Sequence, residues 1–540
     1  MTAPRAKVLD LEPRLSRPAE SVRLAAIDIG SNSIRQIVAD VSADGTIRIV
    51  DEMKAAPRLG AGLARRGRLS AGSMRQALDA LQRMATLARQ LGAIRIHAVA
   101  TSAVREADNR RDFLDLVREE TGLRVKLLQG EDEARLSFRS ALAHFDLGVR
   151  RAVVMDIGGG SVELAMSADG MVERLVSLPF GAIRLTEEHL GDRPRRKHVK
   201  KLRAAVRDSL RRVLPVRDWR GAQLIGSGGT FTNLGAMHLA ARGLPYDGRV
   251  HGTQIQREEI EHLLDILLAS SRQERAGMPG LNPERADIIL AGLAVAAEAM
   301  VRIEARGLTV SGYGIREGLL LESARVAPSP ADPGEARDRS IRQFAERCHY
   351  EKPHAEHVRK LALHVFDAIA HRLGLTARDR AILADAALLH DVGYHIGHLR
   401  HHKHSYHLIT HAELLGVRPE EQMLIAQVAR YHRGAEPRRT HREFASLDQE
   451  ARRRVRRLSA ILRVTDGFDR GHAGAVRSVK VRWLQRAVRL TVVPDPRAGS
   501  VRLELWGAQR KAGLLAKVAK RAVEIVGPDG VVYSGEEDGA

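Results

Sequence analysis

The chain has 540 residues, 44% hydrophobic and 28% charged, with a single cysteine and a formal net charge of +21. That length exceeds one hydrophobic core and implies three or four domains. Cys348 alone excludes an intrachain disulfide framework and fits a reducing compartment. The basic excess either solubilises the chain or attracts a polyanion such as nucleic acid, anionic lipid or polyphosphate.

Residues 1–21 carry no apolar signal region and read as a flexible tail, so a cytoplasmic location is expected. Residues 23–53 read as strand, tight turn, strand, "ADG" turn and strand, with clear alternation in "TIRIVDEM". A helix is predicted from Ser73 to about Leu91, then a strand over 94–101. "RDFLDLVREETG" reads as a helix ended by Gly122, followed by a strand at "RVKLL" and a helix over 131–145. At 151 the pattern restarts: three strands, helices, a strand at "AQLIGSGGT", more helices and a strand over 308–314. The longest apolar run, 288–301, contains Glu298 and reads as a buried helix, not a membrane span. The Pro-rich stretch 325–336 reads as a linker. Residues 337–470 are helical by periodicity. From 476, "RSVKVRWL", "AVRLTVV" and "SVRLELW" all alternate and are predicted as strands, before a helix and a short β segment.

The repeat has a chemical face. "AAIDIGSNSIR" (25–35) and "VVMDIGGGSVEL" (153–164) each run from an apolar strand into Asp and then a Gly/Ser turn. Glycines there free backbone N–H groups to form an anion nest, and Ser hydroxyls add donors. A carboxylate at the strand end repels phosphate directly but can hold a divalent cation that bridges to it. Two such loops facing across a cleft would grip one phosphate chain from both sides. A third Gly loop, "IGSGGTFTNLGAM" (225–237), opens a helix whose N-terminus favours anions.

These stretches, with "ATSAVREADN", "GEDEARLSF" and "VSGYGIREGLLLE", resemble the exopolyphosphatase/guanosine pentaphosphatase family in its own order over roughly residues 23–325. The resemblance implies an α/β fold of two ribonuclease-H-like (actin-like ATPase) halves around a cleft. Those halves would be 22–145 and 146–325, followed by an all-α HD-type domain (337–470) and a small α+β tail (475–535). It makes Glu133 the general base on water, although Asp132 stands where the family often has Glu. It assigns Mg²⁺ (or Mn²⁺) to Asp156 and Glu163, with Asp28 a weaker ligand. It gives phosphate contacts to Ser31, Asn32, Ser33, Arg35, Arg105, Gly158, Gly159, Gly160, Ser161, Gly228, Gly229 and Thr230. From the residues alone, Glu133 also reads as a helix-dipole carboxylate, Glu163 as a solvated strand residue and Arg105 as a surface charge.

"HAEHVRKLA", "LLHDVGY" and "RVTDGFD" resemble the HD phosphohydrolase superfamily, with His354, His390, Asp391 and Asp466 as its H…HD…D set. Such ligands suit Mn²⁺, Fe²⁺ or Zn²⁺. Two readings stay open: a second metal site, or a retained scaffold that supports dimerisation and polyanion binding. The histidines of 395–411 and 430–433 read as phosphate contacts, neighbours of the metal set or surface decoration.

The function expected is an Mg²⁺-dependent exopolyphosphatase that releases orthophosphate from polyphosphate ends, acting as a homodimer. The alternative is guanosine pentaphosphate 5′-phosphohydrolase, and a more distant one is a polyanion-binding protein without catalysis. With aromatics at 4% there is no stacking platform for specific nucleic-acid recognition, and no membrane partner is expected.

Overall fold

The computed structural model describes residues 21–534 apart from 44, 148–150, 192, 216–218, 247–249, 327–332, 413 and 415. Most of the tail read at 1–21 therefore lies outside the described residues. Among the described residues no helix is long and apolar enough to cross a membrane.

The first sheet has strands β1 (Ser21–Ile29), β2 (Ile34–Ser42), β3 (Ile47–Ala55), β4 (Arg95–Ala100) and β5 (Val125–Leu127), in the order β3-β2-β1-β4-β5. The second has β6 (Ala152–Ile157), β7 (Val162–Ala168), β8 (Met171–Leu178), β9 (Gln223–Ser227), β10 (Gln254–Gln256) and β11 (Gly307–Val310), in the order β10-β11-β9-β6-β7-β8. In both, two antiparallel hairpins are followed by a strand that joins parallel to the first. The repeat is thus realised as two sheets of one topology, the actin-like α/β architecture.

The two sheets exchange helices. Gly130–His144 follows β5 in sequence, yet Ala134, Phe138 and Ala141 pack with Val154, Ala165 and Ile225 of the second sheet. Ile315–Ser323 follows β11, yet Leu319 and Leu320 pack with Leu24, Ala26 and Ile37 of the first. The helices cross where Gly318 lies against the Leu136 backbone; any side chain at 318 would collide with it. This crossing ties the halves together at the floor of the cleft. It also carries the first turn of Gly130–His144, and so Glu133, towards the second sheet.

Helix Ile289–Arg302 is buried as its apolar run predicts. Its Glu298 side chain, fully enclosed, is held by Arg203 (2.6 Å) and Arg207 (2.9 Å), the pairing that a buried charge requires.

A helix begins at Pro333, inside the stretch read as a linker. From there to Gly467 the chain is helical, and its core continues without a break into the tail. Ile341, Leu388 and Ile461 belong to the same buried cluster as Val479, Leu490, Leu515 and Ile525. The tail sheet has β12 (Val476–Trp483), β13 (Ala487–Pro494), β14 (Ala522–Val526) and β15 (Val532–Ser534). One sequence expectation fails here: "SVRLELW" is not a strand but the start of helix Arg502–Lys511. Val501, Leu503 and Leu505 alternate like a strand. Burial instead falls on Val501, Glu504, Leu505 and Ala508, while Leu503 and Trp506 are exposed, which is helical spacing.

Arg23, Asp40 and Arg48 lie opposite one another on β1, β2 and β3. Arg23 donates to Asp40 at 2.8 Å and Arg48 at 2.6 Å. Chiefly through the Arg23 hydrogen bond, and against burial, Asp40 is held down at about 2. A lowered carboxylate contributes stability above its unfolded value near 4, and that contribution is lost as pH falls towards 2. Because both arginines are solvent-screened, Asp40→Asn is expected to cost about 1 kcal/mol or less at pH 7. The gap in melting temperature should narrow between pH 5 and pH 3; a gap that widens in acid contradicts the assignment.

Candidate active site

The two Asp–Gly turns are built alike. Gly30 N–H donates to Ser33 O (3.1 Å), and Gly158 N–H donates to Ser161 O (3.0 Å). The turns project from the ends of β1 and β6 and meet across a cleft of about 110 Å³. Asp28, Ser31, Asn32, Ser33 and Arg35 line one wall; Asp156, Gly158, Gly159, Gly160, Ser161 and Glu163 line the other. Gly159 and Gly160 abut Ser31 and Ser102, so side chains there would fill the gap.

The repeat differs at one position, and the difference is chemical. In register, Asp28 stands opposite Arg35, whereas Asp156 stands opposite Glu163. One hairpin carries a carboxylate with a cation; its counterpart carries two carboxylates. Glu163 is buried, not the solvated strand residue that spacing alone allows. Ser227 (2.8 Å) and Ser137 (3.1 Å) donate to Asp156 Oδ2, and Ser177 (3.0 Å) donates to Glu163 Oε1.

Glu133 enters from the first turn of Gly130–His144 and is buried. Arg105, on Ser102–Glu106, donates to Glu133 and to the Leu128 carbonyl, so it is anchored and not a free surface charge. Burial is the main reason that Glu133 lies well above the ordinary carboxylate range, and the nearby Glu163 adds to it. The charge of Glu163 is the smaller part. Burial likewise lifts Glu163 to about 8 and Asp28 to about 6, and it raises Asp156. Four acids thus share one enclosed space.

That donor set fits a hard divalent ion. Asp156 and Glu163 form an adjacent oxygen pair, and Asp28 Oδ1 is buried without a hydrogen-bond partner. Asn32 presents an amide whose oxygen and nitrogen are both buried and unpartnered in the cleft wall, as a residue awaiting a polar ligand would be.

The third loop arrives as expected at Gly228 and Gly229, but Thr230 does not reach the cleft lining. Its hydroxyl is turned towards Ile157 O and Gly292, and Thr232 lines the cleft in its place. Sequence reading also missed Arg285 and Arg316. Arg285 is buried beside Gly229, where a side chain would strike its guanidinium, and burial brings it down to about 10. Arg316 faces Glu52 and, with Arg35, borders a larger cavity of about 640 Å³ that continues from the cleft to Leu414, Val417 and Gln422. The phosphate-loop pattern names neither arginine, because Arg285 reaches the cleft from the short turn Pro283–Arg285 and Arg316 from the start of helix Ile315–Ser323, both distant in sequence from the loops.

Residues 37–326 match the model of the Ppx/GppA phosphatase family, and residues 336–495 match that of its domain III. The chain belongs to the Ppx/GppA phosphatase family. Similar solved structures include an Aquifex aeolicus member of the family, 30% identical over 57% of this chain and 98% of that one, with TM-score 0.50. Another is an exopolyphosphatase from Cytophaga hutchinsonii, 26% identical over 57% and 99%, TM-score 0.52. A third is an exopolyphosphatase-like protein, 28% identical over 57% and 98%, TM-score 0.52. Membership makes the chain a phosphatase.

The predicted helical set also converges. His354, His390, Asp391 and Asp466 meet in the helical region, and His354 Nε2 lies 3.6 Å from Asp466 Oδ1 and 3.8 Å from Asp391 Oδ2. Burial lowers His354, but Asp466 and Asp469 outweigh it and lift the imidazole to about 10.

Gly228 has φ +85°, and a Cβ there would run into Asp156 Oδ1. Gly228→Ala is therefore expected to strain the turn, displace Asp156 and cut phosphate release at least tenfold. Full activity in this variant would show that Asp156 need not be held where it is.

Proposed function

We propose that this phosphatase is an Mg²⁺-dependent exopolyphosphatase that hydrolyses the terminal phosphoanhydride of inorganic polyphosphate. The observation that carries the reading is the pairing of a small anion-binding cleft with the buried Glu133. The cleft is small, about 110 Å³, and is lined by turn amides, hydroxyls and arginines, a setting that suits a terminal phosphoryl group.

In this reading the Gly158–Ser161 and Ser31–Ser33 turns bind the terminal phosphate through amides and hydroxyls, and Arg35 and Arg285 balance its charge. Asp156 and Glu163 hold Mg²⁺, with Asp28 nearby. When bound, Mg²⁺ supplies positive charge to the phosphate oxygens as the anhydride bond lengthens. Glu133 accepts a proton from the attacking water, and its raised affinity for protons favours that transfer. Arg105 orients Glu133 and neutralises the phosphate next to the bond that breaks. Water adds to the terminal phosphorus, the bridging oxygen leaves on the shortened chain, and orthophosphate is released.

The remaining chain would pass into the 640 Å³ cavity. The net charge of +21 supports a polyanionic substrate, as do the neighbours named exopolyphosphatase. Guanosine pentaphosphate is the second reading. It is favoured by the lining of that cavity, where Tyr246, Tyr313, Met278 and Val250 offer a nucleoside apolar and aromatic surface. Homodimerisation and a cytoplasmic location belong to the same proposal and rest on the family resemblance.

Glu133→Gln keeps the shape and removes the base. Phosphate release from long-chain polyphosphate is expected to fall 10²- to 10⁴-fold, with substrate affinity within a few-fold of the parent. Unchanged turnover contradicts the role of Glu133. Running guanosine pentaphosphate alongside decides the substrate: the larger kcat/KM of the parent identifies it.

A further inference from the structure

Each phosphate turn is backed by a segment of its own half. In the first half, Gly60 N–H donates to Ser31 O (2.8 Å) and Arg58 N–H to Asn32 O (3.3 Å). In the second, Ala182 N–H donates to Gly158 O and Ile183 N–H to Gly159 O, both at 2.9 Å. Both segments approach so closely that glycine is required at the contact. A Cβ on Gly60 would lie 2.8 Å from Ser31 Cβ, and one on Gly181 would lie 2.2 Å from the Gly159 carbonyl carbon.

In a trans peptide the C=O of one residue and the N–H of the next point in opposite directions. With the carbonyls of Ser31, Asn32, Gly158 and Gly159 drawn back, the amides of Asn32, Ser33, Gly159 and Gly160 point away from the backing segments. All four of these residues line the cleft. An anion nest needs this orientation, because a carbonyl turned inward would repel phosphate.

The backing segments are held in turn by the opposite half. Two residues beyond Gly60, Gly62 N–H donates to Glu187 Oε1 (2.8 Å). Glu187 lies on the π-helical turn Thr186–Leu190, which continues directly from helix Ala182–Leu185 behind the second turn. Arg184 of that helix binds Glu106 of the first half, and the other oxygen of Glu106 accepts from the Ser102 hydroxyl (2.7 Å) at the cleft wall. Arg58 also reaches across, donating to Asp287 Oδ2 at 2.6 Å, two residues after Arg285. Its φ of +52° is uncommon for a residue with a side chain; in that conformation its amide serves the first turn and its guanidinium grips the second half.

We propose that the two backing segments form one brace across the cleft, with Arg58 and Glu187 as positioning residues for phosphate hydrolysis. They act through the carbonyls of the turns and touch no reacting atom. The inference rests on the reading that these turns hold the terminal phosphate, and it holds for either substrate. The helix crossing at Gly318 joins the halves with or without the brace. As stability devices, part-exposed links of this kind contribute little; their effect is on geometry. Without them each turn is free to rotate its peptides, and the donors lose their aim at the phosphate. A phosphate between the turns and an intact brace favour the same apposition of the halves, so each strengthens the other.

The test measures kcat and KM of the full chain on long-chain polyphosphate and on guanosine pentaphosphate. Arg58→Ala, Asp287→Ala and Glu187→Ala are each expected to lower kcat/KM about tenfold on the substrate that the parent prefers. Arg58→Ala combined with Asp287→Ala should also stay near about tenfold, since both remove one link. Glu187→Gln keeps an oxygen to accept from Gly62 and should remain within about threefold of the parent. Unchanged kcat/KM in the alanine variants, a hundredfold loss in the double variant, or Glu187→Gln as poor as Glu187→Ala overturns the brace.

A second readout needs no turnover. Spin labels are placed at Arg83→Cys on helix Ala71–Gln90 and Lys201→Cys on helix Arg196–Val213, exposed positions in opposite halves, while the natural Cys348 is buried. The label-to-label distances should lengthen or broaden in Glu187→Ala and match the parent in Glu187→Gln. Identical distributions in all three overturn the brace. A parent that hydrolyses neither substrate contradicts the function proposed above, and the label distances then decide the brace by themselves.

Discussion

The cleft depends on one electrostatic constraint: Asp28, Glu133, Asp156 and Glu163 are brought together away from water. Burial raises the proton affinity of all four, and two of them, Asp156 and Glu163, are paired directly across a hairpin. Such an arrangement is stable only if hydrogen bonds, protons or cations offset it. The three serine donors, Arg105 and the ring of Arg35, Arg285 and Arg316 supply part of that compensation. The remainder would be a divalent cation or a shared proton, which is what the proposed metal-bridged phosphate supplies.

The repeat explains how the constraint is built. Duplicated sheets supply duplicated turns, with the same Gly N–H to Ser carbonyl bond in each. Function then requires the copies to diverge. Position 35 is a cation and its equivalent, 163, a carboxylate, so one hairpin neutralises charge and the other concentrates it. The crossed helices Gly130–His144 and Ile315–Ser323 bring Glu133 and Arg316 to the shared cleft from opposite halves.

How much of this was legible follows from the physics of each feature. The Asp–Gly turns were readable because strand, turn glycine and hydroxyl are contiguous in sequence. Burial of Glu133 and its link to Arg105 were not, since they arise from the exchange of helices between sheets. Thr230 and Thr232 sit two residues apart on one helix and therefore face different ways. Composition identifies a hydroxyl there but not the helical phase that turns Thr232 to the cleft. "SVRLELW" fits both periods over seven residues, and only packing against the helical core decides for helix. His401 and His432 are buried, yet they lie in basic runs that also contain solvent-facing histidines, and the fold alone distinguishes the two kinds.

In the proposed function, the acidic pair of the second hairpin stores a proton that a hard divalent ion displaces. Calorimetric titration of the full chain with Mg²⁺ at pH 7, repeated in buffers of different ionisation enthalpy, measures that exchange. Because Glu163 lies at about 8, binding is expected to release on the order of one proton per ion, and Glu163→Gln should abolish the release. Mg²⁺ binding with no proton release in the parent would contradict the account.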